Sequence, residues 1–186
     1  ISHSHADHFG GIRGVVDEAD VRSGKVPVIA PVGFMEHAVA ENVYAGNAMS
    51  RRMFFQYGVL LPRSPFGHVD QSIGKNTASG NLGLIEPNRY IEKDFETLTI
   101  DGVEMEFQNT PGTEAPAEMH CWLPGERALN LAENTNHLMH NLCPLRGAQV
   151  RDPLAWSRYL DDALHDYVPR VDVVYAQHHW PVWGSE

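Results

Sequence analysis

The chain has 186 residues, of which 42% are hydrophobic and 20% are charged, and its formal net charge is -10. This size and composition are those of one globular domain, or of part of a larger one. The acidic balance argues against nucleic-acid binding, which needs a basic surface, and no apolar run is long enough to cross a bilayer. The two cysteines, Cys121 and Cys143, lack the spacing of a metal-binding pair.

The first eight residues concentrate metal donors. His3, His5, Asp7 and His8 place four donor side chains within six positions. Because side chains alternate in an extended segment, the first three can share one face, and His8 can join them where the chain turns. Imidazole and carboxylate donors favour zinc, with iron or manganese as second choices; the alternative is a histidine-rich tract that binds nothing. Strands normally precede such a loop, so we expect this chain to be a fragment lacking its N-terminal part.

The next part of the chain predicts helices around one short strand. Residues 11–20 have the pattern of a short helix with Val15 facing inward, and residues 26–30 that of a strand. Apolar side chains then recur at helical spacing over residues 34–39 and 41–57. Many of these side chains are Met or aromatic. They indicate core packing or, alternatively, the wall of an adaptable apolar pocket.

The rest of the chain alternates strand patterns with turns. Residues 62–86 are rich in Gly, Ser, Pro and Asn, which predicts a long loop with a functional role. Alternating patterns on either side of Asp101–Gly102 predict a hairpin. A helix is predicted to begin at Asp152–Pro153, with Asp as the N-cap and Pro at the first helical position. Further strands are predicted at 122–123, 128–132 and 171–176.

Three later loops offer the partners that the first donors need, and each follows a predicted strand. They are Thr110–Pro116, with Glu114; Leu131–Asn134, with Glu133; and Gln177–Trp180, with His178 and His179. A single acidic residue at a strand end is usually solvated. The series as a whole is therefore what indicates a metal site.

This series resembles the metallo-β-lactamase superfamily, in which an HxHxDH motif precedes a Pro-Gly loop, a bridging acidic residue and a final histidine. Here Glu114 replaces the histidine expected after Pro111–Gly112, and Glu133 replaces a bridging aspartate. These two replacements look like those of the alkyl sulfatases that hydrolyse dodecyl sulfate. The resemblance extends through residues 34–38, 41–43, 46–52, 111–119, 145–152 and 178–181.

The resemblance implies an α/β (α+β) fold, the metallo-β-lactamase αββα sandwich incomplete at the N-terminus, with residues 1–186 forming a partial catalytic domain. It also implies two zinc ions per chain, with Glu133 bridging them. The ligands of one ion would be His3, His5 and Glu114, and those of the other Asp7, His8 and His178, with His179 as the second choice for the last. A metal-activated water would hydrolyse alkyl sulfate esters to an alcohol and inorganic sulfate.

Four further residues are candidates for catalysis. An alkyl sulfate is a monoanion, and the planar guanidinium of Arg146 or Arg151 suits its oxygens; the alternative for both is helix capping or a salt bridge to Asp152. His140, like His137 close after Glu133, is interpreted as a proton donor or a support for the ligands, with a structural role as the alternative. Tyr57 either reaches the sulfate or packs in the core.

The resemblance also bears on features beyond the metal site. It implies that the full-length protein is a homodimer with a C-terminal sterol-carrier-like domain and is periplasmic or secreted. His120–Cys121 and residues 71–88 depart from the expected pattern, which leaves open the preferred chain length and the choice between primary and secondary esters. Alternative functions are another hydrolase of this fold, acting on a lactam, thioester or phosphodiester, and a non-catalytic metal-binding fragment.

Overall fold

A computed structural model describes residues 1–76, 80–138 and 140–184 of the chain. Its α-helices are α1 Ala6–Phe9, α2 Glu18–Arg22, α3 Phe34–Val39, α4 Gly46–Gln56 and α5 Pro153–Asp166. Its strands are β1 Ile29–Pro31, β2 Arg89–Ile91, β3 Phe95–Ile100, β4 Val103–Asn109, β5 Met119–Leu123, β6 Ala128–Asn130, β7 Val173–Tyr175 and β8 Val182–Trp183. The described part of residues 62–86 contains no helix or strand, as predicted.

The eight strands form two sheets. Six of them, in the order β3-β4-β5-β6-β7-β8, form a sheet whose pairs are antiparallel except for β6 and β7. The other two, β1 and β2, pair in parallel. The β3–β4 hairpin turns at Asp101 and Gly102, whose φ angles of 50° and 81° are the positive values that a type I′ turn needs. The predicted hairpin is confirmed.

Apolar contacts order the layers of the fold. On one face of the six-stranded sheet, Trp122 packs against α5. Met119 lies three residues earlier on the same strand and so faces the other side, where it packs with Ile91 of the small sheet. Phe34 of α3 then packs on Ala30 of β1. The layers therefore follow the order α, β, β, α, which confirms the predicted sandwich.

The predicted helix over residues 11–20 is wrong. The chain forms a 3-10 turn at Ile12–Gly14 and starts a helix only at Glu18. Val15, which was predicted to face inward, is 83% exposed. Gly14 accounts for the break, because glycine in a helix interior costs about 1 kcal/mol relative to alanine.

The helices predicted over residues 34–57 are confirmed. The predicted burial of their apolar side chains is confirmed only in part. α3 is followed by a π-helical turn at Ala40–Tyr44 and then by α4. Met49 is buried, whereas Val43, Tyr44 and Phe54 are 68%, 87% and 49% exposed. Core packing is therefore wrong for these three side chains, which lie on the surface of the described molecule.

The C-terminal elements follow the prediction closely. Asp152 caps α5, and its Oδ1 accepts the N–H groups of Leu154 and Ala155 at 2.9 and 3.0 Å. The predicted strand over residues 171–176 is the shorter β7, and β8 was not predicted because two residues show no periodicity. No helix in the described ranges is long and apolar enough to span a membrane.

Candidate metal centre

Strand direction brings the predicted donors to one edge of the six-stranded sheet. Glu114 follows β4, Glu133 follows β6 and His178 follows β7. β5 is antiparallel to both β4 and β6, and β7 is parallel to β6, so these three strand ends lie on the same side. The N-terminal donors join them because His3 pairs with Glu118 in an isolated antiparallel bridge.

The first donor group is buried. His3, His5, Glu114 and Glu133 offer donor atoms within 4.8 Å of one another. His5 Nδ1 lies 2.8 Å from Glu114 Oε2, and His3 Nε2 lies 3.6 Å from the same oxygen. The other ring nitrogen of His3, Nδ1, is 3.1 Å from the Ser2 hydroxyl. That contact directs Nε2 of His3 toward the group.

The second donor group lies nearer the surface. It consists of Asp7, His8 and His178, whose donor atoms meet the same distance limit. Asp7 Oδ2 is 3.1 Å from His8 Nε2 and 3.2 Å from His178 Nε2. His178 Nδ1 donates to the carbonyl oxygen of Ile73 at 2.8 Å, so the lone pair of the neutral ring is on Nε2. Histidines that bind metals are commonly held in this way.

Glu133 lies at the boundary between the two groups. Its Oε2 is 3.3 Å from the Nε2 atom of His3, 3.0 Å from that of His8 and 3.4 Å from that of His178. Its Oε1 is 3.0 Å from His140 Nε2. One oxygen therefore faces donors of both groups, and the other is held by His140.

The donor atoms have unmet bonding capacity that cations would satisfy. Among the described residues, the buried His3 Nε2 and Glu114 Oε2 make no hydrogen bond of good geometry, although His5 Nδ1 lies 2.8 Å from that oxygen, and leaving such an atom unpaired costs about 1 to 3 kcal/mol. In the second group, the Nε2 atoms of His8 and His178 face each other at 3.0 Å. The residues thus fit metal ions, and a set of imidazoles and carboxylates suits zinc.

The same contacts shift the pKa values of the histidines. Burial lowers the pKa of His3 to about 4. Burial also opposes charge on His8, but hydrogen bonds to Asp7 and Glu133 outweigh it and raise the pKa of His8 to about 9. Hydrogen bonds to the same two carboxylates raise the pKa of His178 to about 10. Metal binding at the second group would therefore release protons from its rings.

Arg146 borders the first group. Its side chain is nearly buried, forms an ion pair with Glu41 and directs Nη2 to His5 Nε2 at 3.2 Å. Its backbone N–H donates to Gln56 Oε1 at 2.7 Å, which anchors the loop to α4. Burial raises the pKa of the neighbouring Tyr57, and the charge of Arg146 opposes that rise. Arg146 therefore lies beside the donors, and Tyr57 directly follows Gln56, the residue that accepts the Arg146 backbone N–H.

Arg151 lies behind Glu114 and is held by several protein groups. Its Nε donates to the Glu114 carbonyl oxygen at 2.6 Å, and its Nη2 pairs with the Glu114 carboxylate. Its Nη1 lies 3.1 Å from His140 Nδ1. A guanidinium only donates, so Nδ1 accepts and the proton of a neutral His140 is on Nε2, facing Glu133. Arg151 thus orients Glu114 and His140, and its ion pair is with Glu114 rather than with Asp152.

The structure separates His178 from its neighbour. His179, the second choice as a ligand, stacks on His137 with ring centroids 3.5 Å apart. Within the described residues it belongs to neither donor group. Of the two adjacent histidines, the structure brings His178 to the other predicted donors.

The sequence did not predict the polar residues that are buried behind the donors. Glu118 is fully buried, and burial, followed by the charge of Glu114, raises its pKa to about 8. Asn134 Oδ1 accepts the Glu114 backbone N–H at 3.2 Å, and its Nδ2 lies 2.8 Å from His120 Nε2. Burial lowers the pKa of His120 to about 3, so this ring is neutral and accepts from the amide. The signal in the sequence was that the polar residues Glu118 and His120 stand next to the apolar residues of β5.

Comparisons with known proteins agree with this geometry. A family model described as "Metallo-beta-lactamase superfamily" matches residues 1–178. The chain is 54% identical over 185 residues to a linear primary-alkylsulfatase from Pseudomonas sp, covering 100% of this chain and 27% of that protein. It is 54% identical over 186 residues to an (R)-specific secondary-alkylsulfatase from Pseudomonas sp, covering 100% of this chain and 28% of that protein. The solved structure of the stereoselective inverting sec-alkylsulfatase Pisa1 from Pseudomonas sp. matches with a TM-score of 0.95 and 54% identity, over 99% of this chain and 29% of that one.

Proposed function

The chain belongs to the metallo-beta-lactamase superfamily, and from that membership we propose that it is part of a zinc-dependent alkyl sulfatase. The observation that carries the proposal is the position of Glu133 Oε2, 3.0 to 3.4 Å from histidines of both donor groups, with Arg146 beside them. The two alkylsulfatases described above support the substrate class. Since this chain spans little more than a quarter of each, the activity is proposed for the whole protein.

The proposed metal ligands divide between the two groups. His3, His5 and Glu114 would hold one zinc ion, Asp7, His8 and His178 the other, and Glu133 would contact both. When bound, such ions lower the pKa of a water molecule to about 7 and so supply a nucleophile at neutral pH. The protein holds two of the ligands in position before metal binds. Arg151 fixes the carbonyl and carboxylate of Glu114, and His140 fixes Oε1 of Glu133.

Arg146 is the proposed site for the sulfate group. Its guanidinium borders the first donor group, and the ion pair with Glu41 holds its orientation. Two N–H groups of a guanidinium fork match two oxygens of a tetrahedral oxyanion, which a lysine would not do. Tyr57, which follows the Gln56 that accepts the Arg146 backbone N–H, is proposed as a second contact to the ester.

His140 is proposed as a group that holds a proton next to the reacting centre. Because Nδ1 accepts from Arg151, the proton of the ring lies on Nε2, 3.0 Å from Glu133 Oε1. In the reaction, one water is consumed and the ester bond breaks. An alcohol, a sulfate dianion and one proton are formed. His140 and Glu133 keep Oε2 of the carboxylate turned toward the donor groups throughout.

The test is sulfate release by the whole protein. Dodecyl sulfate and a racemic secondary alkyl sulfate are the two substrates, because a primary and a secondary alkylsulfatase match this chain at the same identity. We expect release of sulfate that a chelator abolishes and zinc restores. Reaction in isotopically labelled water then shows whether the label enters the alcohol or the sulfate, and so which bond breaks.

A metal-loaded protein that releases no sulfate from either ester would refute the proposal. A β-lactam serves as the control substrate, and its faster hydrolysis would favour another hydrolase of this fold. The homodimeric state and the periplasmic or secreted location stay predictions, which size-exclusion chromatography and cell fractionation test.

A further inference from the structure

A fully buried carboxylate lies just outside the donor groups. Glu118 is 0% exposed and immediately precedes β5. Burying a carboxylate is costly unless its oxygens are well paired. In the described part of the chain it forms no ion pair with Lys, Arg or His, and the partners of its oxygens are backbone N–H groups and a hydroxyl. Its hydrogen-bond partners therefore show what it is placed to hold.

The two oxygens of Glu118 hold the two loops that carry Glu114 and Glu133. Oε1 accepts the backbone N–H of Glu133 at 3.0 Å. Oε2 accepts the backbone N–H of Ala115 at 2.8 Å and lies 2.9 Å from the Thr113 hydroxyl. One side chain thus fixes the peptide before Glu133 and the peptide after Glu114, although these residues are far apart in the sequence.

The backbone on either side of Glu118 holds the N-terminal segment, which carries the remaining donors. Glu118 pairs with His3 in the antiparallel bridge. On either side of that pair, Met119 N–H donates to Ser2 O at 2.9 Å, and Ser4 N–H donates to the carbonyl oxygen of Ala117 at 3.1 Å. The N-terminal segment and both acidic loops therefore meet at one residue.

The loop that carries Glu133 contains a backbone conformation that needs external support. Ala132, immediately before Glu133, has φ 52°. A left-handed conformation at a residue with a side chain is strained and persists only where neighbouring contacts enforce it. The hydrogen bond from Glu133 N–H to Glu118 is such a contact.

We propose that Glu118 is a positioning residue of the metal centre, which sets the separation of Glu114 and Glu133 and thereby the affinity for the metal ions. This inference rests on the proposed metal site, but not on the identity of the substrate. Glu118 would act through the two loops and touch neither the ions nor the ester.

The test compares three variants of the whole protein. Glu118→Gln keeps one acceptor oxygen but places an amide, which cannot accept, against one loop. Glu118→Ala removes both oxygens. Asn109→Ala is the matched control, because Asn109 is also buried and its side chain donates two hydrogen bonds, at 2.8 and 2.7 Å, to the carbonyl oxygens of Ile91 and Lys93, which are not proposed metal ligands. Metal affinity is measured by competition with a chromogenic chelator, and metal content by elemental analysis.

We expect Glu118→Gln to weaken metal affinity by about 10- to 100-fold, the usual effect of losing a partner that orients ligands. kcat should fall at subsaturating metal while KM for the ester stays unchanged, because Arg146 is untouched. Asn109→Ala should keep the parent affinity. If Glu118→Ala fails to fold by circular dichroism, Glu118→Gln alone decides the result.

Unchanged metal affinity in Glu118→Gln, or an equal loss in Asn109→Ala, would overturn the inference. The sulfatase proposal fails separately, if the metal-loaded parent releases no sulfate. A parent that binds metal without releasing sulfate, together with a Glu118→Gln variant that binds metal weakly, would support the role of Glu118 and refute the substrate class.

Discussion

Replacing Arg151 with methionine tests whether this residue stabilises the centre from behind. Arg151 is 6% exposed and bonds to the Glu114 carbonyl and carboxylate, to His140 Nδ1 and to two oxygens of Asn141. Removing one partner of a buried ion pair typically costs about 3 to 5 kcal/mol, because the other charge is left unpaired. We expect that loss in the free energy of unfolding of the metal-free protein.

The loss should be smaller when metal is bound, because a cation at the first donor group gives Glu114 another partner. The assay is urea unfolding followed by tryptophan fluorescence, with and without zinc, from the midpoint and the slope m. Arg127→Met is the matched control. Its ion pair with Asp172 is 2.8 Å long, but the two side chains are 51% and 58% exposed, so we expect a loss below about 1 kcal/mol.

Equal unfolding midpoints for Arg151→Met and Arg127→Met would refute this reasoning. So would a loss in Arg151→Met that is the same with and without zinc, because Glu114 would then gain nothing from the cation.

Three further predictions concern the centre and its surroundings. Glu133→Gln should lower kcat by more than about 100-fold, beyond the usual effect of outer residues, and reduce the metal content; full activity with two bound ions would contradict its shared role. Arg146→Met should raise KM by about 10- to 150-fold, as expected from about 1.5 to 3 kcal/mol for hydrogen bonds to a charged group, whereas the exposed Arg158→Met should not. His120→Gln should reduce the loss in the free energy of unfolding as the pH falls. The pKa of His120 is lowered to about 3, so the unfolded state binds more protons, and the parent loses stability as pH falls from about 6.5 to about 3; urea midpoints at pH 7 and pH 4 that shift equally in both proteins would argue against this.

Local rules explain why much of the fold was predictable. The hairpin at Asp101–Gly102 needs two positive φ angles, and this pair of residues adopts them readily. The start of α5 needs an acceptor for its first N–H groups, which Asp152 supplies. A prediction of secondary structure failed where two local preferences conflicted. The apolar spacing of residues 11–20 predicted a helix, but Gly14 interrupts it and leaves Val15 in solvent.

Some features of the candidate site were likewise predictable from the sequence, and others were not. The spacing of the N-terminal donors is a local property, and it marked them as metal ligands before any partner was known. The adjacent histidines could not be separated by spacing, because both follow the same strand. The structure separates them through the turn after β7, where His178 has φ 64° and donates to the Ile73 carbonyl oxygen, while His179 stacks on His137.

By itself, the sequence determined the donor types, the order of the strands and loops that carry them, and the resemblance to a superfamily. These follow from residue identity and short-range spacing. Only the tertiary structure decided which groups face each other. It placed Glu133 between the two donor groups, turned Arg151 toward Glu114 rather than toward Asp152, and buried Glu118 where three distant segments meet. The physical reason is that hydrogen bonds and ion pairs depend on distances between atoms, and packing of the sheets sets those distances for residues far apart in the chain.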